Sequence, residues 1–282
     1  MSIRIVTDSA SDIANGERND VTVLPLKLRF GDEEFMDGVD ISHKEFYEKL
    51  IETEELPITS QATPYDYEEV YKEAAAAGDT LIVITLSSKL SGTYQSAVIA
   101  AADYDNIYIV DSENVTVGEH VLVELALRLK DSGMEAKDIA EQLEREKKKI
   151  RLVALLDTLE YLKKGGRISK TAAVAGSLLS IKPVIAIENG EVVMLGKARG
   201  SRHGNNLLVE KIKESGGIDF EKPHILGYTG LSDALLRKYI ADSEALWRDE
   251  VERLEITSVG AAIGTHVGPG AIAVAFFAQN GV

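Results

Sequence analysis

The chain has 282 residues, a hydrophobic fraction of 45% and no cysteine. That length supports one large unit or two moderate ones with a real core. The missing thiols exclude disulfides, thiolate metal sites and a cysteine nucleophile. The formal charge of -15 argues against a nucleic-acid partner, which selects for a basic face.

The first residues reach Asp8 too soon for a signal peptide, and no apolar run approaches the ~20 residues of a membrane helix. The expectation is a cytoplasmic protein without an integral membrane segment.

In chain order, Ile3–Val6 and Val21–Leu24 read as short β-branched strands. Ser42-His43-Lys44-Glu45 is a capping box that starts a helix. Thr63-Pro64 starts another, whose apolar stripe runs through Tyr67, Val70, Tyr71 and Ala74 to a stop at Gly78. The runs Leu81–Ile84 and Ile107–Val110 are apolar throughout, as in strands buried on both faces. This β-α-β rhythm predicts a doubly wound parallel sheet over residues 1–150.

From 151 to 282 the rhythm changes. A charged amphipathic helix over 137–149 precedes it, with Glu144–Lys149 as its solvated side. Leu152–Leu156 reads as a strand, and Val184–Ile187 and Val192–Leu195 flank Asn189-Gly190, a strong hairpin signal. Strands at 225–228, 255–257 and 272–276 and helices at 202–214 and 231–247 complete an α+β unit with a mixed or antiparallel sheet. No Ser/Pro-rich linker separates the halves, so close packing is expected.

Ligands of open parallel sheets gather at the carboxyl ends of the strands. There the sequence places Thr7-Asp8-Ser9 and, after the 81–84 strand, Leu90-Ser91-Gly92-Thr93. Gly92 admits close backbone approach, and the helix that follows offers free N–H groups to an anion. Ser91 is either a donor to that anion or an ordinary helix cap. Thr59-Ser60-Gln61 reads as polar loop. Arg167, in the turn after Gly165-Gly166, either pairs with a carboxylate or phosphate or ties the two halves together. Gly264-Thr265-His266-Val267-Gly268-Pro269-Gly270 reads as a tight loop whose histidine either donates to an anion or is structural. The five histidines show no ligand spacing, and phosphate-loop, dinucleotide and hydrolase-elbow patterns are absent. Asp8 lacks the second Asp of an aspartyl phosphotransferase, and Asp12 reads as a cap.

Taken in order, Thr7-Asp8-Ser9, Thr59-Ser60-Gln61, Leu90–Tyr94, the Lys164–Ser169 stretch, Ile181-Lys182-Pro183 and Gly264–Gly270 resemble the DegV family over essentially the whole chain. The one departure is Ala62, where members often carry proline. The resemblance implies two α/β units with a long-chain fatty acid such as palmitate held between them. It implies carboxylate contacts from Thr59, Ser91 and Gly92, with His266 nearby and Arg167 at the family's G-G-R position. It also implies a carrier, not an enzyme, that needs no cofactor or metal and presents the acid to a separate fatty acid kinase in lipid metabolism. An apolar helix over 171–179 would leave room for the tail or pack on the sheet. The competing expectation is an enzyme, a phosphotransferase or hydrolase, built on Asp8, Arg167 and His266.

Overall fold

The computed structural model describes residues 2–14, 16, 18, 20–168 and 181–279, apart from the side chains of residues 248 and 249. In chain order the elements are β1 (Ile3–Asp8), β2 (Val21–Leu24), β3 (Lys27–Phe30), β4 (Glu33–Met36), α1 (His43–Glu52), β5 (Ile58–Ser60), α2 (Pro64–Ala77) and β6 (Thr80–Thr85). Then come α3 (Thr93–Ala100), β7 (Ile107–Asp111), α4 (Val117–Asp131), α5 (Ala136–Glu146), β8 (Ile150–Leu155) and α6 (Glu160–Lys164). The remainder are β9 (Ile181–Glu188), β10 (Glu191–Arg199), α7 (Gly200–Glu214), β11 (His224–Tyr228), α8 (Ala234–Asp242), α9 (Glu244–Trp247), β12 (Glu255–Ser258), α10 (Ala261–Val267) and β13 (Ile272–Phe277).

Three sheets organise these elements. The first is the expected parallel sheet, in the order β2-β1-β6-β7. The second has the order β10-β9-β8-β13-β11-β12 and is antiparallel except for the β11–β12 pair. The third, β4-β3-β5, is antiparallel and is not foreshadowed in the sequence. Its strands are three or four residues long, too short to show a period.

Helix α4 is buried almost all round, its Glu119 and His120 included, so little of it before its last turn meets water. It lies between the parallel and six-stranded sheets, and one core runs from Ile5 and Val83 through Val121 to Leu152 and Ala275. A second core, on the far face of the six-stranded sheet, surrounds Trp247 and Tyr239.

The local signals behave as their chemistry requires. Ser42 and Thr63 both form complete capping boxes, with Glu45 and Asp66. Gly78 closes α2 in the left-handed conformation, at φ 72°. Asn189-Gly190 makes the β9–β10 turn with both residues at positive φ.

Four local expectations are corrected. Helix α5 ends at Glu146 and tightens into a 3-10 turn, Lys147–Lys149. That stretch is not simply solvated: Lys147 is buried, donating to the Asp111 carbonyl at 2.8 Å and pairing with Glu144 at 2.7 Å. The single helix expected over 231–247 breaks at Ser243, whose hydroxyl donates to the Tyr239 carbonyl and accepts from the Trp247 indole. Thr59 lies on β5, paired with Leu28, and not in a loop. His266 stands in the last turn of α10, and only Gly268 to Gly270 form the turn beyond it. The helix expected over 171–179 and the cap expected of Ser169 lie outside the described residues.

Two buried aspartate side chains start α10. Asp12 accepts the Gly260 N–H at 2.8 Å and the Thr116 hydroxyl. Asp37 accepts the Ala261 and Ala262 N–H groups at 2.9 and 3.0 Å and the Ser9 hydroxyl at 3.1 Å. Asp12 is thus a helix cap, but for a helix some 250 residues away in the chain. Its own φ of 58° is a conformation that Asp tolerates better than most. Burial outweighs these donors and pushes the Asp12 carboxyl up to about 8 from 3.8.

The folded chain therefore keeps a proton on Asp12 that the unfolded chain has released. Its stabilisation is full below pH 3.8 and is lost as pH rises to about 8. Asp8, pushed up to about 7, acts in the same direction. His120 and His266, lowered by burial from 6.5 to about 4, act oppositely and only below 6.5. Between pH 6.5 and about 8 the acids alone remain, so stability followed by fluorescence of Trp247, the single tryptophan, should fall there. Asp12→Asn should flatten that fall, and an unchanged slope would contradict this account.

Candidate functional site

Between the carboxyl edge of the parallel sheet and the face of the six-stranded sheet lies a cavity of about 360 Å³. That is within the usual range for small-molecule sites. Most of its wall is aliphatic: Leu26, Leu86 and Val115 from one side, Leu152, Leu156, Ile185 and Ile187 from the other. Its polar lining gathers Thr59, Gln61, Ser91, Gly92, Arg167 and His266, from β5, the loop before α3, the turn after α6, and α10. Thus Thr59, Ser91, Gly92, Arg167 and His266, all singled out in the sequence, share one cavity.

The centre of the polar end is a contact between two sequence-distant residues. His266 Nε2 lies 2.9 Å from the Thr59 hydroxyl. Its Nδ1 is buried without a partner, against Gly165. A Cβ at position 165 would collide with that nitrogen, which is why glycine stands there. A proton on Nδ1 would be an N–H facing no acceptor, so the favoured tautomer carries it on Nε2 and donates to Thr59. The Thr59 hydroxyl proton is then available to a ligand. Burial, with Arg167 nearby, lowers the imidazole pKa to about 4, so His266 is neutral at physiological pH.

Ser91 precedes α3, whose cap residue is Gly92, with no side-chain cap from Gly92 itself. The Ser91 hydroxyl lies 2.9 Å from that of Thr93 and accepts the Thr93 N–H at 3.3 Å. It therefore steadies the first turn, and it also faces the cavity. Gln61 locks this loop to β5. Its amide donates to Ser96 at 2.9 Å and lies over Gly92, where a Cβ would strike it. The sequence carried Gln61 only as part of the Thr59-Ser60-Gln61 motif, with no role assigned to it.

Arg167 is exposed. It donates to the Gly165 carbonyl at 2.6 Å and to the Leu90 carbonyl at 3.4 Å. Of the two roles open to it, the geometry shows the tie across the cavity. Asp8 is elsewhere: it is fully buried, and its oxygens accept the Ala10 and Leu86 N–H groups, both at 3.0 Å. It does not line the cavity, so the structure does not assemble Asp8, Arg167 and His266 into one centre. Among the described residues no group of three acidic, histidine or cysteine side chains forms a metal cage, and no helix is long and apolar enough to cross a membrane.

These electrostatics predict a titration. In the ligand-free protein the His266 ring should show an NMR midpoint near 4, not near 6.5. Arg167→Ala should raise it, because a nearby cation is removed. A midpoint near 6.5 in the unsubstituted protein would show the ring to be solvated.

The family model for uncharacterised proteins of the DegV family matches residues 2–279. A DegV domain-containing protein of Caldanaerobacter subterraneus subsp. tengcongensis is 36% identical over 280 residues, covering 97% of this chain and 98% of that one. A solved DegV family protein from Thermus thermophilus, described by its fatty acid binding, superimposes with a TM-score of 0.86 at 29% identity, covering 98% of this chain and all of that one. DegV of Bacillus subtilis, a fatty acid binding protein, matches with a TM-score of 0.82 at 30% identity, covering 98% of each chain. With its parallel sheet, its mixed sheet and the cavity between them, this chain belongs to the DegV family.

Proposed function

We propose that this protein binds a long-chain fatty acid, palmitate among them, and carries it in the cytoplasm without chemistry of its own. The observation that carries the reading is the aliphatic cavity ending in hydroxyls and a neutral imidazole. The halves on either side of residue 150 act as the two jaws. Each buried methylene of the tail contributes roughly 0.8 kcal/mol before the losses of binding. A carboxylate out of water costs several kcal/mol unless donors meet it. In this reading Thr59 and Ser91 donate hydroxyls, the Gly92 backbone and the first turn of α3 add N–H groups, and His266 orients Thr59. Arg167 closes the site and adds positive charge.

The donor set is suited to holding and not to reacting. Ser91 has Thr93 as its neighbour and no base, so it lacks the activation a nucleophile needs. The carboxylate keeps its reactivity for a separate enzyme, which in this reading is a fatty acid kinase that forms the acyl phosphate. A second groove, of mixed character, is lined by Glu54, Glu55, Leu56, Ile58, Lys164 and Thr265 and shares Thr59, Arg167 and His266 with the cavity. It supports this presentation, because it gives a partner a path to the carboxyl end.

Protein purified from bacteria should release fatty acid on denaturation, and mass spectrometry should find it near one per chain. Protein with no lipid would overturn the reading. Ser91→Ala removes one hydrogen bond to a charged group, worth roughly 1.5–3 kcal/mol. Affinity for any long acid should drop about 10- to 100-fold. Unchanged affinity in both Ser91→Ala and Thr59→Val would place the carboxylate elsewhere.

A further inference from the structure

Helix α10 carries His266 to the site, yet its cap residue is Gly260, which has no side chain to cap it with. The buried residues of the helix are small: Ala261, Ala262, Gly264 and Thr265. Apolar contact is non-directional, so such a surface does little to fix where the helix sits along its own axis. The hydrogen bonds at its start do fix it. Asp12 accepts the Gly260 N–H, and Asp37 accepts those of Ala261 and Ala262. His266 lies six residues beyond Gly260, roughly 9 Å along a helix. A shift at the start is therefore passed to the contact with Thr59.

The two aspartates differ in what they can hold. Asp37 has three donors, the Ala261 and Ala262 N–H groups and the Ser9 hydroxyl, and these favour its charged form. Asp12 has two, the Gly260 N–H and the Thr116 hydroxyl, and keeps its proton more readily. Asp8 at the end of β1 and Glu119 on α4 add acidic groups around Asp12. From α1, His43 brings the opposite sign, and it acts on Asp37. Tyr47, also on α1, is pushed up by burial and stays neutral, donating to the Val259 carbonyl at 2.9 Å. A charge on Asp12 would thus meet that of Asp37 across one helix start.

Resting on the fatty-acid reading above, we infer that Asp12 and Asp37 are positioning residues for the ligand's head: through α10 they set His266 against Thr59, and a second negative charge in the pair loosens that setting. Asp12, raised by burial to about 8, gives up its proton as the solution turns mildly alkaline. The hold is complete below that range and is lost as pH rises through it.

The test has two readouts on the full-length protein. The first is the lifetime of a bound fluorescent long-chain acid, followed by its transfer to excess albumin. It should shorten about fivefold or more from about pH 7 to about pH 9. Asp12→Asn has the shape of the protonated acid and no charge to gain, so it should flatten that fall, whereas Asp8→Asn should retain it. The second is the NMR midpoint of the His266 ring in ligand-free protein. Asp37→Asn turns an amide N–H2 toward a backbone N–H, so it should displace the helix and raise the midpoint from about 4 toward 6.5 as the ring meets water. Loss of an anion would by itself lower that midpoint, so a rise reports displacement. A lifetime that is flat over this range, or a fall that survives in Asp12→Asn, overturns the inference and leaves the fatty-acid reading intact. So does an unmoved midpoint in folded Asp37→Asn. If the unsubstituted protein binds no acid, it is the fatty-acid reading that fails, and the His266 midpoint still decides for or against the positioning.

Discussion

The arrangement depends on how the first turn of α10 is held. Three successive backbone N–H groups, at Gly260, Ala261 and Ala262, end on the buried side-chain oxygens of Asp12 and Asp37. A helix start sealed from water must find acceptors for those groups, or each costs a lost hydrogen bond. Here the acceptors come from the loop after β1 and from the segment after β4, far away in the chain. The other end of the same short helix carries His266 to Thr59. One contact that joins the two halves of the molecule and the contact between His266 and Thr59 at the polar end of the cavity are therefore the two ends of one short helix.

The rest of the site follows from close approaches that only small residues permit. Gly165 lets the Nδ1 edge of the imidazole approach the turn after α6, and Gly264 lets α10 press against Phe46 and Tyr47 of α1. Gly92 lets the Gln61 amide cover the loop before α3. At the other end, Gly227 lets α4 settle on the six-stranded sheet. Between these points the wall is aliphatic and needs no partner. Polar groups that are buried near the cavity, such as Asp8 and Ser9, are turned to backbone N–H groups or to Asp37. In the lining, the Thr116 hydroxyl is likewise tied to Asp12, and that of Thr229 accepts the Ala271 N–H.

Much of this was legible in the sequence. The parallel strands announced themselves through apolar runs, and α1 and α2 through capping boxes, because these signals are local. The candidate residues were legible as polar and glycine-bearing strand ends, and their order along the chain identified the family. What the sequence did not show is non-local. The β3–β4–β5 sheet depends on pairing between strands of three or four residues. Helix α4, which carries charged residues along its length, is buried because two sheets enclose it. Gly264–Gly270 looked like a loop because glycine and proline cluster there, yet Asp12 and Asp37 supply the start signal for α10 from outside. The role of Gln61 depends on how β5 meets the loop before α3, which no single segment carries.

The central claim is that the hydroxyls of Thr59 and Ser91 meet the carboxylate of a fatty acid whose tail lies in the cavity. A long-chain acid labelled with carbon-13 at its carboxyl carbon, bound to the delipidated protein and followed by NMR, tests it most directly. The account predicts one bound carboxyl signal that keeps the carboxylate form from about 5 to 8, because hydroxyl and N–H donors favour the charged form, and that is displaced in Thr59→Val and Ser91→Ala. A carboxyl signal that titrates like a free acid, or that ignores both substitutions, would contradict it.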